Sequence, residues 1–169
     1  MDANCRPSLK RSICAIALLF GAFSADSQSA ISCFDDEKLR QVSNVGRGTL
    51  IYVWSPRTVY SVQQMEQAAR AAAAHGLDFQ AVHDARVPPG ELLALPSNSA
   101  GGDISTPPFV SLRDSSLPLC APTLLASEAL RHFPTAFVVT QQGVHRHPIV
   151  GAMPVTAWQQ SISQRLQQP

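Results

Sequence analysis

Cysteine is scarce in this chain of 169 residues, and its four cysteines lie far apart. Cys5, Cys14, Cys33 and Cys120 include no Cys-x-x-Cys pair, and this spacing excludes the dithiol motif of many redox proteins. Charged residues make up only 15% of the chain, and no basic run remains beyond its first residues. The charge distribution therefore predicts neither nucleic acid nor an anionic membrane as a partner.

Residue sets for nucleophilic catalysis are also missing. No Ser-His-Asp or Cys-His set can be assembled from the order of the candidate residues without assuming distances. We therefore identify no catalytic residue and expect no cofactor. Hydrophobic residues make up 45% of the 169-residue chain, which is enough for a sizeable core in one folded domain.

The first 24 residues have the composition of a secretory signal peptide. Three basic residues precede an apolar run at 13–23, which is short for a membrane span. Ala22 and Ser24 provide small side chains where a signal peptidase cleaves. We therefore expect a periplasmic or secreted protein with a signal peptide at 1–24 and one domain at 25–169, without stable membrane insertion. The alternative is an uncleaved N-terminal anchor.

Cleavage would leave two cysteines, Cys33 and Cys120. An even number of cysteines in an exported protein indicates a disulfide, which would close a loop of about 88 residues and contribute roughly 4 to 5 kcal/mol in the chain-entropy model. Two alternatives remain open. The two thiols could be unrelated, one of them buried, or Cys33 could carry a lipid, although the apolar run ends about ten residues before it.

The first half of the predicted domain has a β-α-β pattern. A short helix at 34–45, with acidic residues at its start, precedes a buried strand at 50–54. Helical spacing of apolar residues predicts a helix at 61–75, and an alternating strand follows at 77–83. A unit of this length implies two parallel strands joined by a right-handed crossover.

The second half begins with an insertion and ends with a hairpin and a helix. Residues 86–119 are rich in proline and glycine, which predicts mostly loop with a possible short helix at 91–95. The remaining predicted elements are a short helix at 122–130, strands at 135–139 and 144–150 around a turn at 141–143, and an amphipathic helix at 154–166.

Two segments and two glycines together resemble the thioredoxin-like fold. The first strand continues through Trp54-Ser-Pro-Arg-Thr-Val-Tyr-Ser61 into the helix, and Phe133-Pro134-Thr135 precedes a later strand. Gly143 and Gly151 match the hairpin glycine and the glycine before the last helix. The resemblance covers roughly residues 50–166 and implies an α/β fold, with a central mixed sheet flanked by helices and the insertion between the second strand and third helix. It also implies a cis Phe133–Pro134 peptide bond.

The chain departs from this family at the residues that carry its chemistry. The family has Trp-Cys-x-x-Cys after the first strand, and here Thr58 and Ser61 occupy the two cysteine positions. Their hydroxyls are not nucleophiles without an activating base. Thr58 would begin the helix, and Ser61 would cap or line its first turn, with Gln64 spaced as in a capping box. Tyr52 stands where the family has a buried acid, so oxidoreductase activity is disfavoured.

The resemblance implies a peptide-binding groove between the start of the helix at 61–75 and the cis-proline loop. In redox relatives such a groove holds an extended chain by backbone hydrogen bonds. We therefore predict a non-enzymatic protein-binding or assembly factor whose partner is another exported protein or peptide segment. Trp54 and Val59 would line the groove or belong to the core. The predicted groove residues are Arg57, Thr58, Tyr60, Ser61, Phe133, Pro134 and Thr135.

Two other functions remain open from the sequence. Cys33 and Cys120 could be the working cysteines of a thiol–disulfide redox protein. Alternatively, His145 and His147 alternate on a predicted strand and would point to one face, where they could bind a metal with His132 as the nearest third ligand. The competing interpretation of this segment is a polar edge strand that Pro148 ends.

Overall fold

The computed structural model describes residues 32–88 and 115–168. The predicted signal peptide at 1–24, the possible helix at 91–95 and most of the predicted insertion lie outside the described residues. In chain order, the elements are α1 Asp36–Asn44, β1 Thr49–Trp54, α2 Val59–Gln63, α3 Met65–Ala74, β2 Asp78–His83, β3 Leu117–Pro118, α4 Pro122–Leu125, a 3₁₀ helix Glu128–Arg131, β4 Thr135–Thr140, β5 Gly143–Val144, β6 Ile149–Val150 and α5 Val155–Gln167.

The sheet is mixed, and its described strands follow the order β3-β2-β1-β4-β5, with β6 also paired to β4. Strand β1 is parallel to β2, as a β-α-β unit requires, and it is antiparallel to β4. The Phe133–Pro134 peptide bond is cis, as predicted. This topology confirms the predicted α/β fold class, which is thioredoxin-like with helices on both faces of the sheet.

Strand β1 is buried along its whole length because a core lies on each face of the sheet. Its even-numbered residues, such as Tyr52, pack with α3 and α5, and its odd-numbered residues, such as Val53, pack with α1 and α4. This alternation follows from the two-residue period of a strand. The continuous β-branched and aromatic run at 50–54 is therefore the sequence of a strand covered on both sides.

The predicted helix at 61–75 is two helices that meet at Gln64. The Ser61 carbonyl accepts a hydrogen bond from the Tyr52 hydroxyl, at 2.6 Å, at the point where the helix is interrupted. The Gln64 Oε1 accepts from the Met153 N–H and the Trp158 Nε1–H, both at 3.2 Å. The capping box predicted for Ser61 and Gln64 is therefore absent from this described segment, because the Gln64 side chain binds Trp158 of α5 and the Met153 backbone instead.

Two other predicted boundaries were wrong. The strand predicted at 144–150 is two short strands, β5 and β6, because the chain bends at 146–147 and Pro148 has no N–H to continue a ladder. The end of the predicted insertion, taken as loop, forms β3, which pairs in parallel with β2 through Val82 and Leu117. The start of the described chain extends this edge, because Phe34 bridges Leu119 in parallel.

Candidate functional site

The predicted groove residues gather at one end of the sheet. Val53, near the end of β1, pairs with Thr135, the first residue of β4. The segment that leads from β1 into α2 therefore begins beside the cis-proline loop that leads into β4. Register alone accounts for this juxtaposition, since antiparallel strands bring the end of one beside the start of the other.

Ser61, which the resemblance places at the second cysteine position, is a structural residue. Its side chain is fully buried, and its hydroxyl lies 2.6 Å from the carbonyls of both Ser55 and Thr58. The same oxygen accepts the Ser55 N–H at 3.2 Å. Thr58 occupies the N-cap position of α2 and its side chain makes no capping bond there. The hydroxyl of Ser61 thus closes the turn between β1 and α2, and its hydrogen-bond partners among the described residues are backbone groups.

Replacing Ser61 with Ala is expected to destabilise the protein by about 1 to 3 kcal/mol, because the buried Ser55 N–H and carbonyl lose their side-chain partner. The measurement is urea denaturation of wild type and variant. Ser43→Ala is the matched control, since the half-exposed Ser43 hydroxyl makes one bond, to the Leu39 carbonyl at 2.8 Å in a helix. A Ser61 effect no larger than the Ser43 effect would show that the turn does not depend on this hydroxyl.

Tyr52, which the resemblance places where the family has a buried acid, cannot serve as a proton relay near neutral pH. Its ring is fully buried between Phe79 and Trp158, with ring centroids at 5.8 and 5.9 Å. Burial raises the pKa of the Tyr52 hydroxyl far above its ordinary value, so the group stays protonated. It acts as the donor to the Ser61 carbonyl described above, which is a structural role.

The surface around this turn carries two exposed apolar side chains. Val59 and Tyr60, in the first turn of α2, are 64% and 66% exposed, and Arg57 beside them is also exposed. Trp54 instead belongs to the core, where its Nε1–H donates to the Ser116 hydroxyl at 2.9 Å. Of the two residues left open from the sequence, Val59 therefore lies on the surface and Trp54 does not.

The cis-proline loop offers one residue for backbone pairing. The Pro134 carbonyl accepts the Gly151 N–H at 2.9 Å, and Thr135 pairs with Val53 on one side and Val150 on the other. Thr135, one of the predicted groove residues, therefore lies in a part of β4 that is already paired on both sides. Within residues 32–88 and 115–168, neither the N–H nor the carbonyl of Phe133 has a hydrogen-bond partner.

A cavity of about 520 Å³, lined by both apolar and charged residues, lies next to Phe133 and was not predicted from the sequence. Its floor includes Val53, Leu119 and Leu130, and the half-exposed Leu125 lies at its edge. The full lining comes from four separate segments, at 53, 84–86, 119 and 125–133, so only the apolar spacing of residues 122–130 could have indicated part of it. The cavity is the right size for one or two side chains of a bound chain.

Arg86 forms the charged rim of this cavity. Its guanidinium makes a bidentate contact with the Asp84 carboxylate, at 2.7 and 3.0 Å, and lies 5.9 Å from the centroid of the Phe133 ring. Hydrogen bonding to Asp84 raises the pKa of Arg86, so the charge is permanent. The pair holds the cation over the ring and fixes one wall of the groove.

The predicted disulfide joins Cys33 and Cys120, with Cα atoms 5.9 Å apart. It ties the start of the described chain to the edge of the sheet. Two backbone hydrogen bonds join the same segments: the Phe34 N–H donates to the Pro118 carbonyl at 2.8 Å, and the Cys120 N–H donates to the Phe34 carbonyl at 2.9 Å. Both cysteines therefore lie in a strand-like contact at the sheet edge, separated in sequence from the turn at 55–61.

The histidines do not form the predicted metal site. His145 and His147 follow β5 in the bend before β6. They therefore do not alternate on a strand, and strand periodicity does not place them on one face. The His145 N–H donates to the Val138 carbonyl at 2.9 Å, and the His147 carbonyl accepts from Arg165. His132 lies at the other end of β4. Within the described segments, no group of three His, Cys, Asp or Glu residues is placed to hold a metal ion.

No protein-family model and no curated protein matches this chain. The solved structures that resemble it include the following three. A secreted Mycobacterium tuberculosis disulfide oxidoreductase homologous to E. coli DsbE has 14% identity and a TM-score of 0.43, with 70% of this chain and 82% of that chain covered. A thiol:disulfide interchange protein of the thioredoxin family from Chlorobium tepidum TLS has 12% identity and a TM-score of 0.46, with 78% of this chain and 84% of that chain covered. A putative thiol:disulfide interchange protein DsbE from Chlorobium tepidum has 16% identity and a TM-score of 0.42, with 72% of this chain and 78% of that chain covered.

Proposed function

We propose that this chain is an exported thioredoxin-like protein that binds an extended segment of another exported protein, without redox chemistry at the family's active-site position. The observation that carries the proposal is the state of Ser61: its hydroxyl is buried and fully bonded within the turn. The surface around it nevertheless keeps the exposed side chains of Arg57, Val59 and Tyr60. A fold that retains this surface without a nucleophile is suited to binding.

Export is part of the proposal, and it rests on the composition of residues 1–24 and on the disulfide. Disulfides persist in oxidising compartments and are rare where glutathione keeps thiols reduced. In the described segments, no helix combines the length and apolarity that a membrane span needs.

The backbone of Phe133 supports the extended form of the ligand. An extended segment that passes the cis-proline loop can pair with the Phe133 N–H and carbonyl, as in β-strand addition. One of its side chains would then enter the cavity of about 520 Å³ beside the Phe133 ring. Tyr60 and Arg57 would contact the same segment from the start of α2, and Tyr and Arg are the residue types that contribute most to binding energy in interfaces.

The double variant Arg57→Ala with Tyr60→Ala is expected to keep its fold and to bind its partner at least about 30-fold more weakly, which corresponds to about 2 kcal/mol. Both side chains are exposed, so neither contributes to the core. The partner is first captured with the tagged exported protein and identified by mass spectrometry. Its dissociation constant is then measured for the wild type and each variant.

Arg40→Ala with Val45→Ala is the matched control for this experiment. It removes one exposed arginine and one exposed apolar side chain at α1, away from the groove. Binding by the control should equal that of the wild type. Unchanged binding by the Arg57 and Tyr60 variant, with a native circular dichroism spectrum, would place the partner on another surface.

A thiol–disulfide redox role for Cys33 and Cys120 is the second candidate, and the presence of the bond itself favours it. A redox role requires that the bond open under glutathione and that the exported protein reduce or oxidise a substrate disulfide. Insulin reduction by the native protein that disappears in Cys120→Ser would replace the binding proposal with this one. The position of the bond at the sheet edge favours a structural role instead.

A further inference from the structure

The arginines of the described segments divide into two groups by their ion pairs. The first group forms ion pairs with carboxylates: Arg40 with Glu37, Arg70 with Glu66, Arg86 with Asp84 and Arg131 with Glu128. Over residues 32–88 and 115–168, Arg47, Arg146 and Arg165 make no ion pair with Asp or Glu. This second group is also the group that shares one region of the surface.

Arg47, Arg146 and Arg165 surround two adjoining hollows of about 480 and 380 Å³. The hollows share Thr140 and His145, together with two glutamine side chains, and we call them the basic concavity. No Asp or Glu is among the described residues that line either hollow. Among the described residues, the lining is therefore positive and rich in hydrogen-bond donors, and it holds no carboxylate side chain as a counter-charge.

The β4–β5 hairpin and the end of α5 build the concavity. The bend after β5 places His145, Arg146 and His147 at its rim instead of alternating them along a strand. The Arg165 Nε–H donates to the His147 carbonyl at 2.6 Å, which fixes one guanidinium against this bend. Arg165 also lies in the last turn of α5, where the helix dipole favours a cation.

The nearest acid along the sheet does not neutralise this surface. Asp78, the first residue of β2, pairs with Thr49 and so lies at the same end of the sheet as Arg47. No nitrogen of Arg47 is within 4.0 Å of its carboxylate, the limit for an ion pair. Arg146 and Arg165 line one hollow and Arg47 lines the adjoining one, so their positive charges repel one another, and an anion bound between them would relieve that repulsion.

We propose that the basic concavity binds a small ligand with two or more oxyanion groups, either phosphates or carboxylates. An arginine guanidinium can donate two parallel hydrogen bonds to one oxyanion group, and the glutamine amides and the Thr140 hydroxyl provide further donors. Hollows of this size accommodate a small molecule. The site lies at the end of β4 opposite the cis-proline loop, and the strand from Thr135 to Thr140 spans roughly 17 Å, so it is independent of the proposed groove.

The test is isothermal titration calorimetry of the exported, disulfide-bonded protein with sodium pyrophosphate at low ionic strength. Arg47→Gln with Arg146→Gln is the test variant, because both side chains are exposed and neither has a carboxylate partner among the described residues. The wild type should bind saturably, and the variant at least about tenfold more weakly, as expected for the loss of charge-assisted hydrogen bonds.

Arg40→Gln with Arg70→Gln is the matched control, since it removes the same charge from exposed helix positions outside the concavity. Its affinity should stay within about twofold of the wild type, because surface charges far from the site are screened. An equal loss of affinity in the control and the test variant would show only a net-charge effect and would overturn the proposal.

Sedimentation with vesicles of phosphatidylglycerol or phosphatidylcholine identifies the source of the oxyanion. Binding to pyrophosphate in solution, lost in the test variant, supports a small phosphorylated or carboxylated solute. Binding to phosphatidylglycerol vesicles alone, again lost in the test variant, supports a lipid headgroup. Absence of binding to both probes overturns the proposal, as does binding that the test variant leaves unchanged.

Discussion

Replacing both Cys33 and Cys120 with alanine is expected to lower the free energy of unfolding by about 4 to 5 kcal/mol. The bond joins residues 87 apart in sequence, and it therefore removes many conformations from the unfolded chain. A loss of that size is comparable with the whole stability of a small domain. The measurement is urea denaturation of the oxidised wild type and of the double variant, with the slope of each transition compared.

Two controls separate this effect from damage to the native state. Reduction of the wild type by dithiothreitol should lower stability by the same amount, because it removes the same constraint without a substitution. The variant should keep a native spectrum before denaturation, since the backbone bonds between Phe34 and the Pro118–Cys120 segment do not need the sulfur atoms. A loss below about 1 kcal/mol would mean that the bond does not constrain the unfolded chain. The bond would then be a better candidate for redox function.

Trp158→Ala is the second substitution with a large expected effect, about 3 to 5 kcal/mol of lost stability. Trp158 is fully buried in the core between the sheet and α5, with its ring against Tyr52. Its removal leaves a cavity and takes one of two donors from the Gln64 Oε1, the atom that ties the junction of α2 and α3 to α5. Thermal and urea denaturation measure the loss.

Trp158→Phe is the conservative control for this prediction. It keeps most of the apolar volume and removes the Nε1–H, while the Met153 N–H still donates to Gln64. The expected loss is therefore smaller, about 1 to 2 kcal/mol. If the two variants lose the same amount, the hydrogen bond to Gln64, and not the filled volume, would be the dominant contribution of Trp158.

The fold could be predicted because its signals are local and consistent with one another. The run at 50–54 has the composition of a strand covered on both faces, and β1 is such a strand. The predicted cis bond before Pro134 is present, and the cysteine count led to the disulfide that the structure contains. Each of these inferences needed only composition, a short motif or a resemblance carried by a few residues.

The position of the candidate site could be predicted from the sequence, but the hydrogen-bonding state of its residues could not. The register of β1 with β4 brings the turn at 55–61 beside the cis proline, as the resemblance implied. Sequence spacing could not show that Ser61 is buried and fully bonded, or that Thr135 is paired on both sides. Hydrogen-bond saturation depends on which distant strands and carbonyls lie within 3 Å, and no local pattern encodes that distance.

By itself, the sequence determined the class of the fold, the cis proline, the disulfide and the absence of a Cys-x-x-Cys nucleophile pair, because these depend on residue type and short-range order. Only the tertiary structure decided which polar groups remain available. It buried the Ser61 hydroxyl, left the Phe133 backbone without a partner in the described segments, and gathered Arg47, Arg146 and Arg165 from three separate parts of the chain around one concavity. Charge and hydrogen-bonding capacity become a site only where folding places them together without an internal partner.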